Sequence, residues 1–300
     1  MIMEIFNDFN EQKNLSVAMG LFDGMHKGHK KVIKNAVKYA HKNNLKSSVI
    51  TFRNSPKSLI NNDKSVYIMT ISEKINFLRN LGIDYMYLVD FTEDLSKMSG
   101  NDYLKMICEK LKPKMITIGY NHTFGYNNSG NSDLLKEKSK DYGYEYEIVK
   151  PVKVRKNIVS SSAIKDFLYT GNFKSAKDML GYDFYIKGNV VLGNQIGRKI
   201  GFKTANLYYP NHIVNIPSGV YKTIVHVDGA DYKGIANFGV KPTLGVNSNK
   251  LLEVHIVDFD ENIYGQSIKV TFIDRIRDER KFNSLEELKQ QIERDIECLE

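Results

Sequence analysis

Residues 20–29 read Gly20-Leu21-Phe22-Asp23-Gly24-Met25-His26-Lys27-Gly28-His29, directly after the apolar run Leu15-Ser16-Val17-Ala18-Met19. Beyond them comes Val32-Ile33-Lys34-Asn35-Ala36-Val37-Lys38-Tyr39-Ala40, whose apolar residues recur at helical spacing. The segment reads as strand, glycine-bearing loop and helix start. Backbone amides and the positive end of the helix dipole point at such a loop, which makes it a phosphate site. Gly20, Gly24 and Gly28 let a triphosphate approach the backbone closely. His26 and His29 are spaced to donate hydrogen bonds to charge building up on an α-phosphate. The alternative reading is two surface histidines on an ordinary helix start.

Outward from this loop, residues 48–52, 85–89, 115–118 and 144–149 form further strand patterns, and Thr70-Ile71-Ser72-Glu73 is a capping box. Strand–helix–strand alternation predicts a doubly wound parallel sheet with helices on both faces, binding ligands at the carboxyl ends of its strands. From about Gly181 the pattern changes to short strands at 185–190, 220–225, 232–237, 251–257 and 267–273. Turn signals at Asp228-Gly229, Asn211-His212 and Asn247-Ser248-Asn249 separate them, which predicts a small antiparallel barrel. A terminal helix opens at Ser284-Leu285-Glu286-Glu287, with Leu285, Leu288, Ile292 and Ile296 on one stripe. Two domains are expected, 1–181 and 182–300, divided after helical patterns at 160–169 and 173–180.

Composition excludes several classes. Of 300 residues, 42% are hydrophobic and 26% charged, which argues against disorder, and no apolar run is long enough to span a bilayer. The first residues, Met1 to Asp8, lack the basic and apolar regions of a signal peptide, so the expected location is the cytoplasm. Cys108 and Cys298 stand alone in helical patterns, so neither a disulfide scaffold nor a Cys/His zinc site organises the fold. Both read as small buried apolar residues. The net charge of +8 suits anionic small molecules. Lys27, Lys30, Lys31, Lys34 and Lys38 follow helical spacing and read as a solvated face, so neither nucleic acid nor membrane is expected as a partner. A weak homo-oligomer is left open.

The 20–29 segment resembles the HxGH superfamily of nucleotidylyltransferases and, within it, the bacterial bifunctional riboflavin kinase/FAD synthetase family. Gly119-Tyr120-Asn121-His122-Thr123-Phe124-Gly125 is similar to that family's Gly-x-Asp/Asn-Phe-Arg/Thr-Phe-Gly motif. Ser160-Ser161-Ser162-Ala163-Ile164-Lys165 is similar to its Ser-Ser-Thr/Ser-x-x-Arg motif, although the serines also suit simple N-capping. The resemblance implies catalytic roles for His26 and His29. It implies nucleotide binding by Gly20, Phe22, Asp23, Gly24, Gly28, Asn121, Ser161, Ser162 and Lys165. Three positions depart from the pattern: Ser55 stands for a His, His122 for an aromatic and Lys165 for an Arg. Lysine keeps the charge of arginine without its planar fork.

A second glycine-punctuated basic loop runs Gly193-Asn194-Gln195-Ile196-Gly197-Arg198-Lys199-Ile200-Gly201-Phe202-Lys203-Thr204-Ala205-Asn206. Three glycines and three cations within its first eleven residues suit a polyphosphate, and Thr204 and Asn206 offer neutral oxygens for a Mg²⁺ shell shared with phosphates. Neither a Walker GxxxxGK[ST] pattern nor an HRD loop occurs. The stretch is similar to the same family's riboflavin kinase signature, with Lys203 in place of a proline. The resemblance implies nucleotide binding by Gly193, Gly197, Arg198 and Lys199, and metal binding by Thr204 and Asn206. It implies Glu253 of Glu253-Val254-His255 as general base, and flavin contacts from Arg277 and Glu279. His255 reads as packing.

The implied chemistry is riboflavin + ATP → FMN + ADP in the barrel and FMN + ATP → FAD + pyrophosphate in the α/β domain, with Mg²⁺ serving both. Two other readings are kept: a riboflavin kinase with a degenerate first domain, and a flavin-binding regulatory protein.

Overall fold

The computed structural model describes residues 2–9, 12–55, 66–193, 197, 200–240 and 250–299. Arg198, Lys199 and the expected turn at 247–249 lie outside them. By contact the chain divides into Met1–Ser161 and Ser162–Glu300.

The first unit holds six parallel strands in the order β1-β4-β3-β2-β5-β6. They are β1 (Glu4–Phe6), β2 (Leu15–Met19), β3 (Lys46–Phe52), β4 (Tyr85–Val89), β5 (Pro113–Gly119) and β6 (Glu145–Val149). The connections carry α1 (Lys27–Lys42), α2 (Ile71–Asn80), α3 (Glu93–Lys97), α4 (Gly100–Leu111) and α5 (Ser132–Tyr142). β2 is buried at every position, as a strand covered on both faces must be, and its one polar residue, Ser16, donates its hydroxyl to Ala36 O of α1 at 2.8 Å. α1 turns Val32, Ile33, Ala36 and Ala40 onto the sheet and leaves its lysines outward. From β2 the chain winds through β3 to β4, then returns to β5 on the other flank of β2. The winding reverses between β2 and β5, and ligands of such sheets bind outside the carboxyl ends at that point.

After β7 (Lys153–Val154) and β8 (Asn157–Ile158), the second unit contains α6 (Ser161–Tyr169), which begins at the last residue of the first unit, and α7 (Phe173–Leu180). Six strands follow: β9 (Tyr185–Asn189), β10 (Ala205–Tyr208), β11 (Gly219–Val227), β12 (Ala230–Val240), β13 (Lys250–Ile256) and β14 (Ser267–Arg277). Their antiparallel order is β10-β13-β12-β11-β14-β9. Val191, just beyond β9, bridges to Asn206 through an N–H···O=C bond of 2.8 Å, which nearly closes the sheet into a barrel. Asp228 and Gly229 both take positive φ, +46° and +87°, and join β11 to β12 as the Asp-Gly signal predicts. Phe173 of α7 packs against Phe272 and Tyr221, each with ring centroids at 5.6 Å.

Two expectations need correction. In α8 (Leu285–Glu297), Leu285 is 50% exposed, and the buried residue is Asp295, whose carboxylate takes the Arg277 guanidinium through contacts of 2.7–3.1 Å. Leu288, Ile292 and Ile296 are half-buried, Ile296 against Val220, Ile235 and Leu299, so the expected stripe fails only at Leu285 and the Arg277–Asp295 pair is added to it. Cys298 is exposed because it lies at the helix's C-cap, whereas Cys108 is buried.

Candidate active sites

In the first unit, the loop after β2 folds inward. Phe22 is buried at φ +52°, Gly24 takes φ +78°, and Met25 is buried at φ +38°. Gly20 donates its N–H to Ile50 O at 3.1 Å, tying the loop to β3. Asp23 Oδ1 accepts the Ile68 N–H at 2.8 Å, and Ser161 Oγ donates to Asp23 O at 2.9 Å. His26 is the N-cap of α1, with its Nδ1 accepting the His29 N–H at 3.2 Å. Gly28 lies under the His26 ring. The two imidazoles stack with centroids 3.5 Å apart, and Phe22 meets His29 edge-on at 5.3 Å.

This geometry fixes a tautomer. A nitrogen that accepts a hydrogen bond carries no proton, so neutral His26 holds its proton on Nε2. Burial pushes the His26 imidazolium down to about 4, with Lys30 contributing. His29 is held well below its usual range by burial first, then by His26, Lys74 and His122. Both rings are thus neutral donors at physiological pH.

At the end of β5, Asn121 is exposed and His122 donates its N–H to Gly119 O at 3.0 Å. The His122 ring stacks on Phe124 at 5.9 Å, and burial pushes it to about 4. His29 Nδ1 and His122 Nε2 are buried without hydrogen-bond partners among the described residues. Ser55 is buried and hydrogen-bonds the Tyr67 hydroxyl. Ser162 is exposed and Lys165 half-buried on α6, and both belong by contact to the second unit.

In the barrel, Asn206 of β10, Glu253 of β13 and Asn237 of β12 stand opposite one another in register and share one face of the sheet. Asn206 is buried, and its amide lies so close over Gly193 that any Cβ there would meet Nδ2 at 2.4 Å. Gly197 accepts N–H bonds from Ile200 and Phe202 at 3.1 and 2.8 Å, which tightens the loop before Thr204. Thr204 and Lys203 border a cavity of about 180 Å³ floored by Ala205, Val254 and Tyr264. Lys203, in the place of the family's proline, ion-pairs with Asp260. His255 donates from Nδ1 to Lys203 O at 2.8 Å and meets Phe202 edge-on, so it braces this loop. Glu279 lies over Gly239 and accepts from Asn237 Nδ2 at 3.3 Å. Arg277 is engaged by Asp295.

Asn237 opens a segment that resembles the family, but no role attaches to it in the sequence until the register places it opposite Glu253, and Lys74, described below, carries no signal there at all.

A parallel sheet with a histidine-capped helix start at its switch point is followed in the chain by a barrel bearing a carboxylate between two amides, and the relatives of both units are transferases acting on nucleotide phosphates. Two family models match: FAD synthetase over residues 8–163 and riboflavin kinase over residues 180–300. The bifunctional riboflavin kinase/FMN adenylyltransferase of Bacillus subtilis is 34% identical over 289 residues, covering 95% of this chain and 91% of its own. The protein of the same name from Buchnera aphidicola of Schizaphis graminum is 34% identical, covering 100% of this chain and 97% of its own. The chain belongs to the bifunctional riboflavin kinase/FMN adenylyltransferase family. A solved Streptococcus pneumoniae structure, named as a macrolide-efflux protein, matches with TM-score 0.87 and 31% identity over 100% of this chain and 99% of its own. That name stays with that protein; among the described residues here no helix is long and apolar enough to cross a membrane.

Proposed function

We propose that the loop between β2 and α1 carries adenylyl transfer and that the Asn206–Glu253 face carries riboflavin phosphorylation. The chain is a transferase with both activities. In the first reaction an FMN phosphate oxygen attacks the α-phosphorus of ATP and pyrophosphate leaves. Nε2–H of His26 and the His29 ring donate to the oxygens where charge accumulates, and as neutral groups they need no reorganisation. The observation that carries this reading is the His26 cap, which fixes which nitrogen bears the proton.

In the second reaction Glu253 takes the proton of riboflavin's terminal hydroxyl while the oxygen attacks the γ-phosphorus and ADP leaves. These families use ATP with a divalent metal, and we assign Mg²⁺. The Thr204 hydroxyl and the Asn206 amide oxygen are hard oxygens of the kind it takes, and Gly193 leaves the Asn206 amide its space. When bound, Mg²⁺ neutralises phosphate charge. The adenylylating domain ends by residue 181 in this reading, with the helices of 162–181 packed on the barrel unit, and the cytoplasm is its location.

The test supplies riboflavin, ATP and Mg²⁺ and separates the flavins by chromatography. The full chain forms FAD, and His26→Ala/His29→Ala stops at FMN. Equal loss of both products in that variant overturns the separate sites. FMN alone from the unaltered chain favours a kinase with a silent first domain.

A further inference from the structure

Lys74, the fourth residue of α2, is 4% exposed, although a helical lysine normally reaches solvent. Its Nζ donates to Leu21 O at 2.7 Å and lies 3.4 Å from Thr51 Oγ1, which itself donates to Leu21 O at 3.0 Å. One ammonium and one hydroxyl thus converge on a single carbonyl. The next residue is Phe22, whose positive φ is unusual for a bulky side chain and whose ring meets His29 edge-on. The contacts run without a break from Lys74 through Leu21 and Phe22 to His29.

We propose that Lys74 is a positioning residue for adenylyl transfer: its ammonium fixes the Leu21–Phe22 turn against His29 and lends positive charge to the anion site. The proposal rests on the reading of His26 and His29 as that site. The charged or titratable groups facing this cluster are Asp23 from the β2–α1 loop, His26 and His29 from α1, and His122 after β5. Burial pushes the Lys74 ammonium down to about 8, while Asp23 opposes the shift. The same charge helps hold His29 neutral. A buried cation in low dielectric acts strongly on phosphates nearby, so its loss is felt in the transition state.

The experiment follows FAD formation from supplied FMN and ATP in the full chain across pH, with FMN formation from riboflavin as the control. In the unaltered chain the FAD rate falls as pH rises through about 8, because the ammonium is lost. Lys74→Arg stays charged and loses that fall. Lys74→Met lowers kcat for FAD about tenfold or more, a typical cost of a misplaced turn, and leaves FMN formation unchanged. Its acid limb moves to higher pH, since His29 protonates more easily without the neighbouring charge. Lys74→Arg, which keeps the charge, leaves that limb where it is in the unaltered chain. The proposal is overturned by a flat alkaline profile in the unaltered chain, by the same fall in Lys74→Arg, or by a Lys74→Met rate within about threefold of normal. An unmoved acid limb in Lys74→Met also overturns it. If Lys74→Met does not fold, the first two profiles decide. FAD formation by His26→Ala/His29→Ala would instead overturn the underlying site reading.

Discussion

Gly193→Ala separates chemistry from stability in the barrel. The added methyl would lie 2.4, 2.5 and 2.7 Å from Nδ2, Cγ and Oδ1 of Asn206, against an ordinary contact of 3.4 Å or more. The Asn206 backbone cannot retreat, because its carbonyl accepts the Val191 N–H and its register is opposite Glu253. The amide must therefore swing by about 1 Å, and a displacement of that size can cost roughly 10²-fold in rate. Only the end of one side chain moves, so destabilisation stays near about 1–2 kcal/mol, as in modest overpacking. FMN formation should fall about a hundredfold while the unfolding midpoint drops by only a few degrees. FAD formation from supplied FMN should persist. Steady-state kinetics for each half-reaction, with a thermal melt of the same preparation, measures all three. FMN formation within about threefold of normal would refute the assignment of Asn206 to the metal of the phosphorylation site.

Glu253→Gln keeps size but removes the basic oxygen, so kcat for FMN formation should fall by about 10²–10⁴-fold with riboflavin binding, read by flavin fluorescence, little changed. Because the folded His26 is pushed from 6.5 to about 4, the unfolded chain binds the extra proton first. Stability is therefore full above about 6.5 and is lost as pH falls toward about 4, by up to about 3 kcal/mol from this group. His26→Asn, which can still cap α1, should flatten that part of the pH–melting curve. A fragment beginning at Ser162 should fold and phosphorylate riboflavin, whereas one beginning at Tyr182 lacks Phe173 and should be about 3–5 kcal/mol less stable in denaturant titration.

Sequence pattern reveals the alternation of β2, α1, β3 and their successors because parallel strands and their covering helices keep distinct periods. The histidine site is legible for a related reason: glycines, imidazoles and a helix start are adjacent in the chain. Lys74 is hidden because its partners, Leu21 and Thr51, are remote in sequence, and a lysine on an amphipathic helix reads as solvent-facing. Asn237 gains meaning only from its pairing opposite Glu253. The burial of Asp295 on α8 is equally silent, since the Arg277 it needs belongs to β14. Local chemistry is readable where the chain is contiguous, and lost where tertiary contacts assemble it.

The bond from the His29 N–H to His26 Nδ1 is at once a helix cap and a proton lock. If the first turn of α1 frays, the lone pair is released and the proton becomes free to settle on either ring nitrogen. A donor facing the phosphates then becomes, for part of the time, an acceptor that repels them. Adenylyl transfer is thereby coupled to the integrity of one helical turn, and gentle warming should silence it while both cores remain folded.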